Sequence, residues 1–211
     1  MVDANLGRQM QGAVADPALG PVTRQVSGRA APAAVPSGPE RGQLLAAAVA
    51  ELPVLDASGR QVPFGALFRE RRAVVVFVRH FLCYICKEYV EDLAKIPKSF
   101  LQEADVTLIV IGQSSYHHIE PFCKLTGYSH EIYVDPEREI YKKLGMKRGE
   151  EIASSGDPAQ QGGTLILGPG NNIHFIHRDK NRLDHKPINS VLQLVGVQHV
   201  DFTSRPSVIH V

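Results

Sequence analysis

The sequence predicts an α/β fold in which a mixed central sheet is flanked by helices. Two continuous runs rich in β-branched residues, 73–78 and 106–111, are typical of strands buried on both faces. A helical pattern follows each run, as in parallel strand–helix–strand units. Near the end of the chain, Gly168-Pro-Gly-Asn171 separates two further apolar runs and indicates an antiparallel hairpin. Parallel and antiparallel pairs together predict a mixed sheet.

The N-terminal segment differs in composition from the rest of the chain. The first 42 residues contain 8 Ala, 6 Gly and 5 Pro, and the first aromatic residue is Phe64. Such a segment has too little apolar surface to offset the entropy of ordering it, so we expect residues 1–45 to be a disordered tail. One domain is expected over residues 46–198, which is enough for a well-packed core. Residues 199–211 then form a C-terminal tail.

The domain is expected to open with a short hairpin and a central strand. Two short strands, 52–55 and 60–64, flank the turn Asp56-Ala-Ser-Gly59. The run 73–78 is the central strand. Residues 86–103 then begin as an amphipathic helix, because apolar residues recur at helical spacing among charged ones. Pro97 is expected to kink or end the first half of this helix.

The later elements complete the alternation of strands and helices. The sequence predicts strands over 106–111, 131–134, 163–167 and 172–176, and helices over 116–125, 137–144 and 188–195. The sheet is therefore expected to be covered by helices on both faces.

Composition excludes several classes of function. The chain has 211 residues, and its 23 Lys and Arg against 22 Asp and Glu leave no basic excess to bind nucleic acid or an anionic membrane surface. No apolar run approaches the roughly 18 residues that a bilayer span needs, and no secretory signal pattern is present. We therefore expect a cytoplasmic protein. No phosphate-binding glycine motif occurs, so no nucleotide cofactor is implied.

Cys83 and Cys86 are the main candidates for chemistry. They form a Cys-x-x-Cys between the central strand and the helix that follows, which is the context of a redox motif. A cysteine at a helix N-terminus has a lowered pKa, and the offset of three residues allows a disulfide. Arg79 and His80 would add positive potential if they turn toward the pair.

Two other interpretations of the pair stay open. Buried cysteines often act only as small apolar side chains. A zinc site would need two more ligands, for which Cys123 and His117 or His118 are the compact candidates, but no second ligand pair with the usual spacing exists. The sequence therefore favours redox chemistry and implies no metal.

The remaining cysteine and the histidines are expected to be structural or exposed. Cys123 is predicted to fill the core on the helix over 116–125, and His117 and His118 to lie at the surface or to cap that helix. Alternation along the last hairpin predicts that His174, His177 and His185 face solvent.

The motif Arg79-His-Phe-Leu-Cys83-Tyr-Ile-Cys86-Lys87 after its strand, with the later Gly162-Gly-Thr-Leu-Ile-Leu167 and its hairpin, resembles a thioredoxin-like fold. Over about residues 49–198 the sequence is most similar to the AhpC/TSA family, and within it to the peroxiredoxin-like 2 group. The opening hairpin is similar to that of peroxiredoxins. The resemblance implies a thiol-dependent antioxidant activity.

The resemblance to peroxiredoxins is incomplete at the site. By the family spacing Cys86 would be the peroxide-attacking thiol, and Cys83 takes the place of the Thr or Ser three residues before it. The arginine that usually precedes the later strand is replaced by Gly162, so its guanidinium is missing from that place. Arg79 is a candidate substitute.

The resemblance to thioredoxins instead makes Cys83 the attacking thiol and Cys86 the resolving one. The buried acid expected before the first cysteine is Phe77, and the proline expected before Thr164 is Gly163. The connection over 150–161 is also short for this group.

Two hypotheses of function follow. In the first, Cys83 and Cys86 form a redox pair that reduces peroxides or protein disulfides, with electrons from a cellular thiol system. In the second, the chain is a non-enzymatic thioredoxin-fold regulator that binds signalling or metabolic proteins. A zinc-binding module is a third and weaker alternative.

Overall fold

The sheet is mixed, and its strand order is β1-β8-β7-β4-β5-β6-β2-β3. The computed structural model describes residues 43–148 and 160–202. Its strands are β1 Gln43–Leu44, β2 Pro53–Leu55, β3 Gln61–Pro63, β4 Arg72–Val78, β5 Val106–Gly112, β6 Glu131–Val134, β7 Gly163–Leu167 and β8 Asn172–Arg178. Its helices are α1 Ala47–Ala50, α2 Tyr84–Ala94, α3 Lys98–Glu103, α4 Ile119–Thr126, α5 Glu139–Lys143 and α6 Ile188–Leu194.

The central strand β4 pairs with β5 in parallel and with β7 antiparallel, which confirms the predicted mixed sheet. Its alternate residues pack into two separate cores. Val74, Val76 and Val78 face the core of α2, α3, α4 and α6. Val75 and Phe77 face the second core, which contains residues of α1 and α5. Burying each such side chain contributes about 1.5–3 kcal/mol, which is why this strand is apolar on both faces.

The helix predicted over 86–103 divides where the sequence indicated. Helix α2 ends at Ala94, and Pro97 is the residue before α3. Proline fits at that place because it has no backbone N–H to donate within a helix. The helix predicted over 137–144 is shorter at both ends, since Arg138 has a left-handed backbone conformation and α5 begins at Glu139.

The folded region extends beyond the predicted domain at both ends. Gln43–Leu44 pair with β8, and Leu45 is buried, although residues 1–45 were expected to form a tail. The N–H of Val200 donates to Asn189 Oδ1 at 3.0 Å, so packing continues past residue 198. The remainder of both predicted tails lies outside the described residues. Across the described parts of the chain, no helix is long and apolar enough to cross a bilayer.

Candidate redox site

Cys83 and Cys86 lie together where the central strand leads into α2. Strand β4 ends at Val78, and Cys83 is the N-cap residue of α2. Its Sγ accepts a hydrogen bond from the backbone N–H of Cys86 at 3.4 Å. Cysteine therefore takes the position that Ser, Thr or Asp usually holds, where an acceptor satisfies a free N–H of the first helical turn. All three cysteines are free thiols.

Arg79, which precedes the pair in the chain, turns toward it. Its side chain is buried, and Nη2 donates to Cys83 Sγ at 2.6 Å. A guanidinium in a buried setting stabilises a thiolate more strongly than it would in water. Arg79 thus supplies a positive charge beside the sulfur from the loop that precedes α2.

The two thiols differ sharply in acidity. The hydrogen bond from the Cys86 thiol, the backbone N–H of Cys86 and the Arg79 guanidinium lower the pKa of Cys83 to about 5. The pKa of Cys86 is raised, because its thiol donates to the Cys83 sulfur and because it is buried. Cys83 is 7% exposed and Cys86 is 0% exposed. The lowered pKa favours the thiolate at Cys83, and the raised pKa favours the thiol at Cys86.

The loop between β4 and α2 is fixed by aromatic packing. The Phe81 ring stacks on Phe122, with centroids 4.4 Å apart. It also lies against Gly112, where a Cβ would come within 2.4 Å of the ring. Tyr141 donates to the carbonyls of Val78 and Ile111 and so joins the ends of the two central strands. The chain therefore enters the site along a fixed path.

The structure explains two of the departures from the family pattern. At Gly162, where peroxiredoxins have an arginine, a Cβ would lie 2.3 Å from the Phe77 carbonyl oxygen. A side chain cannot enter there without a shift of the backbone. Phe77 itself packs in the core on the opposite side of the sheet from Cys86. An acid at position 77 would therefore point away from the cysteines.

The other sequence candidates do not join the pair. Cys123 is half-buried and packs against the core that contains Cys86, and burial raises the pKa of its thiol. His118 Nδ1 lies 2.8 Å from Ser114 Oγ, and Ser115 caps the turn before α4. Within 43–148 and 160–202, no group of three or more His, Cys, Asp or Glu could hold a metal ion.

The expectation that all three late histidines face solvent is wrong for two of them. His174 is exposed, but His177 and His185 pack around Asp179, which is buried. His185 Nδ1 lies 2.8 Å from Asp179 Oδ2, and His177 Nε2 lies 3.5 Å from Oδ1. His177, three residues after His174, lies on the opposite face of β8, and His185 lies beyond the end of that strand at Arg178, so alternation places neither of them with His174.

Comparisons with known proteins identify the family. The family described as AhpC/TSA antioxidant enzyme matches residues 92–155. Peroxiredoxin-like 2C of Bos taurus is 78% identical over 228 residues, which cover 94% of this chain and 100% of that protein. The chain belongs to the peroxiredoxin-like 2 group of the AhpC/TSA family. The human Peroxiredoxin-like 2C is 79% identical and covers 90% of this chain and 98% of that protein. Membership in the family supports a redox antioxidant role.

The peroxiredoxin fold is confirmed by a solved structure. Peroxiredoxin Q of Xanthomonas campestris superposes with a TM-score of 0.59 at 17% identity, over 74% of this chain and 96% of that one. The alignment with the bovine Peroxiredoxin-like 2C is longer than this 211-residue chain, so that relative contains residues that this chain lacks. Most of the connection that was expected to be short, 150–159, lies outside the described residues.

Proposed function

We propose that this peroxiredoxin-like 2 protein is a thiol–disulfide redox protein in which Cys83 attacks and Cys86 resolves. The observation that carries the proposal is the position of Cys83, which caps α2 and accepts a hydrogen bond from Arg79. This arrangement keeps a nucleophilic thiolate beside a buried thiol. Cys83 is also the more exposed of the two residues.

With a peroxide, the Cys83 thiolate attacks the distal oxygen of the O–O bond. That bond breaks, the alkoxide or hydroxide leaves and takes a proton, and Cys83 becomes a sulfenic acid. Cys86 then attacks the Cys83 sulfur, and one water is released as the disulfide forms. The peroxide has been reduced by two electrons and the cysteine pair oxidised by two.

With a protein disulfide, Cys83 forms a mixed disulfide with one partner sulfur and releases the other as a thiol. Attack by Cys86 then frees the partner and leaves the Cys83–Cys86 disulfide. In both cases a dithiol reductant from a cellular thiol system restores the two thiols. The cycle needs a reducing compartment, which agrees with a cytoplasmic location.

The order of the two cysteines follows the thioredoxin pattern more closely than the peroxiredoxin pattern. Under the family spacing Cys86 would attack the peroxide. Its raised pKa favours the protonated thiol, however, and this thiol is buried and hydrogen-bonded to the Cys83 sulfur. A thiol in that state is a poor nucleophile. Gly162 takes the place of the arginine that peroxiredoxins carry, and Arg79, which contacts Cys83, supplies a guanidinium in its stead.

Single substitutions test the proposal. In a Cys123→Ser background, Cys83→Ser should abolish both peroxide consumption and insulin-disulfide reduction. Cys86→Ser should still react once and should accumulate a Cys83 sulfenic acid or mixed disulfide, which mass spectrometry detects. Turnover that is unchanged in both variants would contradict the proposal.

A non-enzymatic regulator is the second candidate. It is favoured by the small exposure of Cys83 and by Leu82 and Tyr84, two exposed apolar side chains that flank it in the chain. In that case a Cys83→Ser, Cys86→Ser double variant keeps its protein partners and its cellular effect. Loss of both would favour the redox proposal.

A further inference from the structure

A turn rich in positive charge joins β8 to α6. Its exposed tip is Lys180-Asn-Arg-Leu183, here called the basic turn, and Leu183 is 72% exposed. Residues 178–186 contain four Lys or Arg and two Asp, whereas the whole chain has a formal net charge of +1. Positive charge is therefore concentrated in this short segment, beside one large exposed apolar side chain.

The basic turn is held in one shape by hydrogen bonds of its own segment. The backbone N–H of Lys180 donates to Asp184 Oδ2 at 2.8 Å, and that of Leu183 donates to Asn181 Oδ1 at 2.8 Å. The N–H of Asp184 donates to the Asn181 carbonyl at 3.2 Å and closes the turn. A turn fixed in this way loses little conformational entropy when it binds a partner.

Two histidines contact the acids at the base of the turn. Asp179 is 2% exposed, and His185 Nδ1 lies 2.8 Å from its Oδ2. His177 Nε2 donates to the carbonyl of Asp184, which is partly buried, at 2.9 Å. The two cations of the basic turn are exposed instead. A partner therefore meets positive charge and an apolar side chain, and the negative charge lies further inside.

The basic turn lies beside the helix that carries the cysteines. The hydroxyl of Tyr89 in α2 donates to the Lys186 carbonyl at 2.6 Å, and the Tyr89 ring stacks on His185 with centroids 4.5 Å apart. Tyr89 follows Cys83 by six residues, which is about 9 Å along a helix axis. A specific interface buries roughly 800 Å² on each partner, a patch about 30 Å across. A protein whose disulfide is docked at Cys83 is thus large enough to contact the basic turn as well.

We infer that the basic turn binds an acidic segment of the protein whose disulfide Cys83 attacks. The inference rests on the proposed function and names the class of partner for the same site. Lys180 and Arg182 pair with Asp or Glu side chains of the partner, and Leu183 contacts an apolar residue among them. Charge complementarity of this kind raises the rate of encounter and selects between partners.

An acidic protein segment fits the turn better than an anionic membrane does. Recognition of anionic lipids by charge uses clusters of roughly four to eight Lys or Arg, and stable anchoring needs a second signal such as a lipid chain. The basic turn has only one lysine, one arginine and one leucine. This set matches a few carboxylates around an apolar residue, and the planar guanidinium of arginine binds a carboxylate through two hydrogen bonds.

Two synthetic peptides test the inference with the full chain in a Cys123→Ser background. Each contains one internal disulfide and one leucine, and the disulfide is flanked by Asp and Glu in the first and by Lys in the second. In the reaction the Cys83–Cys86 pair is oxidised by two electrons, and the peptide disulfide is reduced to two thiols. We expect the acidic peptide to react at least about tenfold faster in about 20 mM salt. The difference should shrink in about 0.5 M salt, because salt screens exposed charges.

Charge reversal locates the preference. Lys180→Glu combined with Arg182→Glu should abolish or reverse it. Lys142→Glu combined with Lys143→Glu makes the same change of net charge on α5 and should keep it. Leu183→Ser should slow both peptides, since both carry the leucine. All variants should react with the neutral disulfide dithiodipyridine at the parental rate, which shows that the cysteines are intact.

Binding is measured apart from the chemistry by fluorescence anisotropy, with the acidic peptide carrying serine in place of both cysteines. Charge reversal of the basic turn should weaken this binding at least about tenfold. Equal rates of the two peptides in the parent protein, or a preference that survives charge reversal, would overturn the inference. Binding to vesicles of phosphatidylcholine and phosphatidylserine that charge reversal abolishes, without a preference between the peptides, would assign the turn to a membrane and also overturn it. No reaction with any disulfide, dithiodipyridine included, would instead overturn the proposed function, and the anisotropy would still show whether the turn binds the acidic peptide.

Discussion

Arg79 donates from Nη2 to Cys83 Sγ across 2.6 Å, and both residues are buried. The two lie four residues apart, at either end of the loop that joins β4 to α2. Phe81, between them, stacks on Phe122 and fixes the shape of this loop. The charge that stabilises the thiolate thus comes from the same short segment that carries the thiol, and not from the later strand as in the peroxiredoxin pattern.

Replacing Arg79 should raise the pKa of Cys83 from about 5 toward its ordinary value. In Arg79→Ala, alkylation of Cys83 by iodoacetamide at about pH 6 should fall about tenfold or more, because each unit of pKa costs a factor of ten in thiolate below the pKa. Arg79→Lys should retain part of the effect. Arg72→Ala, an exposed arginine at the start of β4, is the control and should alkylate at the parental rate. A pH profile that is the same in all variants would show that Arg79 does not tune the thiol.

The Cys86 thiol should itself acidify Cys83, since its hydrogen bond is the largest cause of the lowered pKa. Cys86→Ala removes this donor, whereas Cys86→Ser keeps an O–H at nearly the same place. We expect the alkylation midpoint of Cys83 to move upward in pH in Cys86→Ala and to stay nearer the parental value in Cys86→Ser. Mass spectrometry of alkylated peptides measures both midpoints. Equal midpoints in the two variants would contradict this assignment.

Stability of the reduced protein should depend on pH through Cys83. Its folded pKa lies below that of an unfolded thiol, so the stabilisation is full above the unfolded value of about 8.5 and is lost as the pH falls through about 5. The raised pKa of Cys86 instead lowers the stability as the pH rises, and it does so only above the pKa of the unfolded thiol. The difference in urea unfolding free energy between the parent and Cys83→Ser should therefore grow from about pH 5 to about pH 8. A difference that is constant over this range would show that the Cys83 pKa is not lowered by folding.

A side chain at position 162 should destabilise the fold. In Gly162→Ala the new methyl would lie 2.3 Å from the Phe77 carbonyl oxygen and 2.9 Å from Asp179 Oδ2. Overpacking of this kind costs about 1–3 kcal/mol, measured as the change in the urea unfolding free energy. Gly196→Ala is the comparison, because a Cβ there meets nothing within 4 Å and only its positive φ of 76° is strained. If Gly162→Ala were the less costly of the two, the close approach of strand and carboxylate would be refuted.

Tyr141 should contribute to stability through its hydroxyl. In Tyr141→Phe the carbonyls of Val78 and Ile111 lose a buried donor, which should cost about 1–3 kcal/mol in the same unfolding measurement. Tyr84→Phe, which changes an exposed ring, is the control and should cost little. Equal stabilities of the two variants would indicate that the hydroxyl of Tyr141 does not hold the two strand ends.

The sequence determined the elements whose patterns are local. The apolar run of β4, the turn of the first hairpin and the break at Pro97 each follow from residues that are neighbours in the chain. The same is true of the Cys-x-x-Cys at a strand-to-helix turn, because the motif and its context lie within about twenty residues. These features also carry the resemblance of the sequence to the AhpC/TSA family.

Only the tertiary structure decided the chemistry around the two sulfurs. The direction of Arg79 depends on the packing of Phe81 against a helix about forty residues further along the chain. The pairing of β7 with β8 places Asp179 beside Gly162, almost one hundred residues after the cysteines. The residues of β8 alone do not indicate this neighbour, since it is set by the pairing of β8 with β7. Contacts between residues so far apart in sequence follow from sheet register and core packing, which no local pattern encodes.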